Sequence, residues 1–320
     1  VGSEMCIRDR FQGGRGGVVD AFADAGATRR AFPGLKRAAR HCVARCGPAC
    51  ASARFSIAWA LAFSAPEGGT LAHRPSFLLV QTRPGTEAAF RERQSVAHIA
   101  GLSLPQLAEC RLDEEVLHGN TGIDWEALSA GHKGILLGGS PFDAGAAVKD
   151  DFQIAVETEL ARLLDFAFHR DIPFLGLCYG VGAIGTYLGG VVDTTYGEDA
   201  GPVTITLTDA ARRDPVFAGL PREFTALVGH HEALRETPPG AELLATGEAA
   251  PVQAFRAGEC MYATQFHPEL DADAIIYRLE LYADRGYMDL SRKAEIYAVI
   301  RAANLTHSHR VLRNFARTFG

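Results

Sequence analysis

No apolar run in the 320-residue chain approaches the roughly 20 residues needed to span a bilayer, and no secretory apolar core opens it. A membrane-spanning helical protein is excluded on that pattern, and a cytoplasmic location is expected. A disulfide framework is missing as well. Seven cysteines are present, but four fall in the first 75 residues, and the other three, Cys110, Cys178 and Cys260, are too few and too scattered to staple a fold. Strong charge of one sign is also lacking: the net charge is -6, and no basic stripe interleaved with aromatics offers a surface for nucleic acid. No internal repeat is found, which excludes a stacked-repeat architecture. What remains is 47% apolar residues at a mean hydropathy of 0.00, enough for one large core or two small ones.

The charge that is present is unevenly placed. Residues 1–75 hold 11 Lys and Arg against 5 Asp and Glu, while the remainder holds 21 against 33. The first segment is rich in Ala, Arg, Gly and Cys and shows no sustained helical or strand period beyond an apolar patch from Ser56 to Phe63. It is expected to be an N-terminal extension that does not fold as a domain. Its opening, VGSEMCIRDR, resembles a recurrent leader of non-biological origin, so part of it is expected to be non-native. Cys42, Cys46 and Cys50 lie beside His41, but that spacing matches neither zinc-ribbon nor common ferredoxin patterns, and no metal is expected.

From Ser76 the texture changes. Phe77 to Gln81 is an apolar, β-prone run ended by the turn Arg83-Pro84-Gly85, and it reads as a buried first strand. A helix follows over Ala88 to Ala100, then a weak strand at Glu109 to Leu112 and a strong one at Gly134 to Leu137. Asp150 is placed to cap a helix in which Phe152, Val156, Leu160, Leu163, Leu164 and Ala167 recur at helical spacing, before Pro173 restarts the chain as Phe174-Leu175-Gly176-Leu177. Strands alternating with helices predict a mostly parallel sheet with active-site residues at the carboxyl ends of its strands. Short β runs follow, at Gly190 to Tyr196, Val203 to Thr208, Phe224 to Val228, Glu242 to Thr246, Val252 to Arg256 and Met261 to Gln265. Three amphipathic helical segments close the chain.

Phe174 to Gly185, FLGLCYGVGAIG, supports two readings. Gly176-Leu177-Cys178-Tyr179-Gly180 has the form of a nucleophile elbow, in which flanking glycines permit a sharp strand-to-helix turn and the helix N-terminus favours a thiolate. As a plain core cysteine with glycines for close helix packing, the same stretch reads equally well. Gly180-x-Gly182-x-x-Gly185 also has dinucleotide-fingerprint spacing. That fingerprint belongs in a first strand–helix turn, however, and the acidic residues about 20 positions on, Glu198 and Asp199, fall in an apparent turn from Tyr196 to Gly201. No cofactor is expected.

Two further pieces join the cysteine. In Gln265-Phe266-His267-Pro268-Glu269, proline extends the chain at His267, so the Glu269 side chain, two residues on, projects to the same side as the imidazole. Gly138-Gly139-Ser140-Pro141 is a glycine turn after a strand, suited to aim backbone N–H groups at a developing oxyanion. Alone, each is weak; together they supply a nucleophile, a base and its orienter.

Leu137-Gly138-Gly139-Ser140-Pro141, Gly176 to Gly180 and Gln265 to Glu269, in this order, resemble a class I glutamine amidotransferase domain, over roughly Ser76 to Tyr287. The resemblance implies an α/β, flavodoxin-like three-layer sandwich, mostly parallel with helices on both faces, over 76–287, followed by a C-terminal helical extension over 288–320. It implies hydrolysis of a side-chain amide through a γ-glutamyl thioester, with Cys178 as nucleophile, His267 as acid and base, and Glu269 as orienter. Gly139 and Tyr179 become the oxyanion donors. Val228-Gly229-His230-His231-Glu232 falls where the family has a substrate-side loop, with His230 the clean match.

The family usually has glutamine four residues after the cysteine, where this chain has Gly182. Neither a P-loop nor a Ser-Gly-Gly-x-Asp-Ser signature is present, so the chain resembles the glutaminase half of a GMP synthase. A separate synthetase subunit receiving ammonia is one expectation, and a stand-alone hydrolase of another γ-glutamyl compound is the second. A dinucleotide-binding or inactive regulatory domain is the remaining alternative.

Overall fold

A computed structural model describes residues 76–283 and 286–320; the expected N-terminal extension, with the Cys42, Cys46 and Cys50 run, lies outside the described residues. The chain enters through β1 (Phe77–Gln81), α1 (Thr86–Ala100), β2 (Leu107–Arg111), α2 (Leu112–Leu117), α3 (Trp125–Ser129) and β3 (Gly134–Leu137). It continues with α4 (Asp151–His169), β4 (Phe174–Leu177), α5 (Tyr179–Tyr187), β5 (Val192–Asp193) and β6 (Glu198–Leu207). Then come β7 (Glu223–His230), β8 (Ala233–Leu234), β9 (Ala241–Thr246), β10 (Ala254–Ala257) and β11 (Met261–Thr264). The last elements are α6 (Ala272–Leu281), α7 (Lys293–Ala302) and α8 (Thr306–Phe319). Among these residues no helix is long and apolar enough to cross a membrane.

Nine strands form one sheet in the order β2-β1-β3-β4-β11-β10-β9-β6-β7. The pairings from β2 to β11 are parallel, and those from β11 onward to β7 are antiparallel. This is the helix-covered α/β sheet that the alternation of strands and helices predicts and the sandwich that the family resemblance implies. β1, β3 and β4 read as unbroken apolar runs because both of their faces are covered. Phe77 and Leu79 enter a core shared with α1 and α8, while Leu78 and Val80 enter another shared with α4 and α5.

The first and last closing helices bury the apolar positions their periodicity marks, whereas in α7 Ile300 is buried with Tyr297 and Val299 is turned to solvent. Val311, Leu312 and Phe315 of α8 are fully buried in the α1-side core, and the Phe315 ring centroid lies 5.9 Å from Phe77 and 6.1 Å from Tyr262. Helices α6 and α7 build a third cluster over Ala200 and Leu227.

Two local expectations are corrected. Gly190 to Tyr196 is not a continuous strand: only Val192–Asp193 pairs, and the Asp193 carboxylate accepts from Thr195 N–H at 2.9 Å, turning the chain into a short 3-10 turn. The apparent turn at Tyr196 to Gly201 instead opens β6 at Glu198. A register shift between Glu198 and Gly201 in the pairing with β7 explains why Gly and Pro there resemble a turn.

Candidate active site

Gly139, Cys178 and His267 follow β3, β4 and β11, which are adjacent in the sheet, so the chain crossovers deliver three distant sequence positions to one cleft. Cys178 is the residue between β4 and α5, at φ 51°, ψ -89°. A non-glycine residue at positive φ costs of order 1–3 kcal/mol and persists only where surrounding structure holds it. Here the Cys178 N–H donates to Thr264 O at 2.7 Å, tying the elbow to β11. A Cβ on Gly176 would fall 2.9 Å from the Gly180 Cα, so this glycine is required by the close approach of strand and helix. The glycines at 182 and 185 serve packing as well: a Cβ on Gly182 would come 2.8 Å from the Ala144 Cβ, and one on Gly185 2.7 Å from Leu234 Cδ2.

The His267 Nδ1 lies 2.8 Å from Glu269 Oε1, and Glu269 is fully buried. Burial opposes a charged imidazole, but the Glu269 carboxylate, followed by Cys178, overcomes it and lifts His267 to about 9. Burial likewise opposes the carboxylate, and His267, joined by Arg278, outweighs it and holds Glu269 at about 2. The pair is therefore an imidazolium facing a carboxylate at neutral pH, with Nδ1–H donating to Glu269. Gln265 Nε2 stands 3.8 Å from Cys178 Sγ.

The other expected site residues reach the same cleft with different commitments. Tyr179 opens α5, where backbone N–H groups have no intrahelical acceptor, and its hydroxyl donates to Glu157 Oε1 at 3.2 Å. Burial, reinforced by Glu157, pushes that hydroxyl well up from its ordinary value. Gly139 follows Gly138, whose N–H donates to Val80 O at 2.9 Å and ends the ladder. His230 lines the cleft from β7, yet both its nitrogens are engaged: Nδ1 sits 2.9 Å from Glu232 O and Nε2 2.9 Å from Glu198 Oε2. Glu198 also accepts from Gln253 Nε2 at 2.6 Å, so one of the two acidic residues weighed with the dinucleotide spacing is bound within the protein.

Three residues went unread in the sequence. Arg83, at the turn after β1, has a side chain only 6% exposed and lines the cleft. Glu92 of α1 is buried and accepts from Gln81 Nε2 at 2.9 Å and from Arg278 Nη2 at 3.0 Å. Arg278 of α6 also donates to Glu269 Oε1 at 3.1 Å, linking the Glu269 carboxylate through Glu92 to α1. The available signal was charge inside buried faces: Glu92 lies among the buried residues of α1, but spacing alone does not say which charge turns inward.

A family model described as "Glutamine amidotransferase class-I" matches residues 102–274. The chain belongs to the class I glutamine amidotransferase family. A glutamine-hydrolyzing GMP synthase from Thermomicrobium roseum is 33% identical over 148 residues, which is 46% of this chain and 25% of that protein. A protein from Thermococcus kodakarensis, named as one subunit of a glutamine-hydrolyzing GMP synthase, is 31% identical over 150 residues, covering 46% of this chain and 72% of that subunit. The chain thus spans about a quarter of the length of the curated relative from Thermomicrobium roseum and most of the Thermococcus kodakarensis subunit. A solved glutamine amidotransferase from Thermotoga maritima superposes with a TM-score of 0.57 at 18% identity, covering 77% of this chain and 96% of that one, which establishes the shared fold.

Proposed function

We propose that this amidotransferase-family domain, over residues 76–287, hydrolyses the side-chain amide of glutamine or a related γ-glutamyl compound. The observation carrying the reading is the convergence of Cys178, at strained positive φ, with the buried His267–Glu269 pair at the ends of adjacent parallel strands. In this reading the Cys178 thiolate attacks the amide carbon, and the negative charge moves to oxygen beside the Gly139 and Tyr179 N–H groups. His267 gives its proton to the departing nitrogen as the C–N bond breaks, leaving a γ-glutamyl thioester and ammonia. The now neutral imidazole takes a proton from water, whose oxygen attacks the thioester; the γ-carboxylic acid leaves and the thiolate and imidazolium are restored. Glu269, held by Arg278, keeps the imidazole oriented throughout.

The relatives named as GMP synthase support glutamine as substrate and a separate synthetase partner as ammonia acceptor. A second reading, hydrolysis of a different γ-glutamyl compound, is favoured by one feature: Ala144 occupies the space in front of Gly182, where the family places a substrate-facing glutamine. A cytoplasmic setting goes with both readings: Cys110, Cys178 and Cys260 form no disulfide among the described residues, in keeping with a reducing compartment.

The test is covalent labelling with a diazo-ketone analogue of glutamine, followed by peptide mapping. The adduct is expected on Cys178, and Cys178→Ser is expected to lower ammonia release by at least ~10³-fold, in line with the loss of an activated nucleophile. Absence of both adduct and ammonia across a panel of γ-glutamyl substrates would reject an active enzyme.

A further inference from the structure

We infer that Arg83 anchors a carboxylate of the substrate and sets specificity for γ-glutamyl compounds, a role that rests on the amide-hydrolysis reading and deepens it. The guanidinium is a buried cation with an incomplete set of partners. Its Nε has no hydrogen-bond acceptor among the described residues, and the Glu92 Oε1 beside it lies 3.6 Å away. That carboxylate is already committed to Gln81 and Arg278. Tyr282, whose ring centroid is 5.3 Å from the Arg83 guanidinium carbon, supplies a π-face, and with Glu92 it keeps that guanidinium charged against its burial. Burying a guanidinium is costly unless its donors are satisfied, and a planar fork of donors suits a carboxylate. Nε faces Glu92, so an acceptor that arrives with the ligand meets the Nη end, which points to the glycine turn in the cleft.

The position of the charge identifies which ligand group it meets. A Cβ built on Gly139 would lie 2.9 Å from Arg83 Nη2 and 3.9 Å from His267 Cε1, so guanidinium and imidazole share one small space beside the glycine turn. In a γ-glutamyl amide, four bonds of ~1.5 Å separate the reacting carbon from the α-carboxylate carbon, roughly 5 Å when extended. In this assignment one end of such a molecule lies at Cys178 and the other at Arg83, both of which line the cleft. Asp143 and Glu232 also line the cleft, and the Glu232 carboxylate accepts from Gly145 N–H at 2.8 Å, so a cationic group on the ligand would orient toward that acidic pair.

This assignment also accounts for Gly182. Ala144 closes the space a glutamine side chain would use there, at 2.8 Å from a hypothetical Cβ. Substrate recognition moves to the turn after β1, where a charged fork replaces a neutral amide.

The test uses the whole protein and reads the charge and the substrate separately. Cys178 is alkylated with iodoacetate or with iodoacetamide, the thiolate displacing iodide in each case, and the rates are followed by peptide mass spectrometry. Wild type is expected to favour the anionic reagent, and Arg83→Gln to lower the iodoacetate-to-iodoacetamide rate ratio about tenfold, the size of one charge-assisted hydrogen bond. Arg83→Lys keeps the charge without the fork and is expected to retain part of the preference. In turnover, Arg83→Gln is expected to raise KM for glutamine at least about tenfold, with the loss carried mainly in KM. Glutaminamide, which has no α-carboxylate, should be handled equally by Arg83→Gln and wild type.

Glu92 keeps Gln81 and Arg278 in Arg83→Gln, so thermal unfolding of the variant serves as the folding control. An unchanged alkylation ratio in a folded Arg83→Gln protein overturns the assignment. So does a loss confined to kcat, which would place Arg83 on the oxyanion instead. An Arg83-dependent alkylation ratio with no turnover of any γ-glutamyl amide supports the anion anchor and rejects the hydrolysis reading.

Discussion

The two halves of the sheet are built by different rules. From β2 to β11 the strands are parallel and short, with β1, β3, β4 and β11 buried on both faces; from β10 to β7 they are antiparallel, with mixed burial and irregular register. The parallel half carries Gly139, Cys178 and His267 at its strand ends, while the antiparallel half supplies a wall containing the His230–Glu198 pair. The difference is that reactive groups sit where crossovers force the chain to turn sharply over a fully covered sheet. Where the sheet is extended by hairpins, polar side chains are used to pair with one another.

The largest test of this contrast lies in α8, which completes the core beneath the parallel strands. Phe315 is fully buried against Phe77 and Tyr262, so Phe315→Ala is expected to cost about 3–5 kcal/mol in denaturant unfolding. Val299, on α7 against the antiparallel side, is 49% exposed, and Val299→Ala is expected to stay within about 0.5 kcal/mol. Equal effects would dissolve the distinction, and would show that the closing helices contribute as one body.

The second test is pH. His267 rises from 6.5 to about 9, so its ion pair with Glu269 contributes stability fully below 6.5, and that contribution is lost as pH climbs through about 9. Glu269 falls from 4.5 to about 2, so its share is present above 4.5 and is lost as pH drops through about 2. Thermal unfolding followed between pH 6 and 10 is expected to show a decline that begins above 6.5, is complete near 9, and is removed by Glu269→Gln. In the proposed mechanism ammonia release should fall as pH passes about 9, because the imidazolium supplies the proton for the leaving nitrogen. A flat profile through 9 would mean that His267 is neutral at rest.

The parallel half was largely legible in the sequence because its chemistry is local. Gly176-Leu177-Cys178-Tyr179-Gly180 announces a strand-to-helix turn, and His267-Pro268-Glu269 sets its own spacing, so each motif carries its geometry with it. Glu198 shows the opposite case. Its glycine- and proline-rich surroundings resemble a turn, and only the register shift opposite β7 reveals a strand whose carboxylate pairs with His230 and Gln253 across 32 and 55 residues. Arg83, Glu92 and Arg278 were illegible for the same reason: each lies on a different element, and the contact between Arg278 and Glu92 spans 186 residues. Periodicity finds a buried face but does not tell which charged residue is turned into it.

The smallest expected effects separate the halves at the level of single glycines. A Cβ at Gly176 would meet the Gly180 Cα at 2.9 Å and Ile184 Cδ1 at 3.0 Å, so Gly176→Ala must move backbone at the elbow. Overpacking of this kind is expected to cost about 1–3 kcal/mol and to slow labelling of Cys178, because the strained turn that presents the thiol is displaced. At Gly201, on β6, a Cβ would meet nothing within 4 Å, and the backbone does not require positive φ. Gly201→Ala is expected to leave labelling unchanged and to raise stability by up to about 0.5–1 kcal/mol, since alanine loses less conformational freedom on folding. Both values come from denaturant midpoints at constant slope. If Gly201→Ala destabilises by more than that amount, the irregular register between Glu198 and Gly201 depends on glycine itself, and the antiparallel wall is under tighter backbone constraint than its open packing implies.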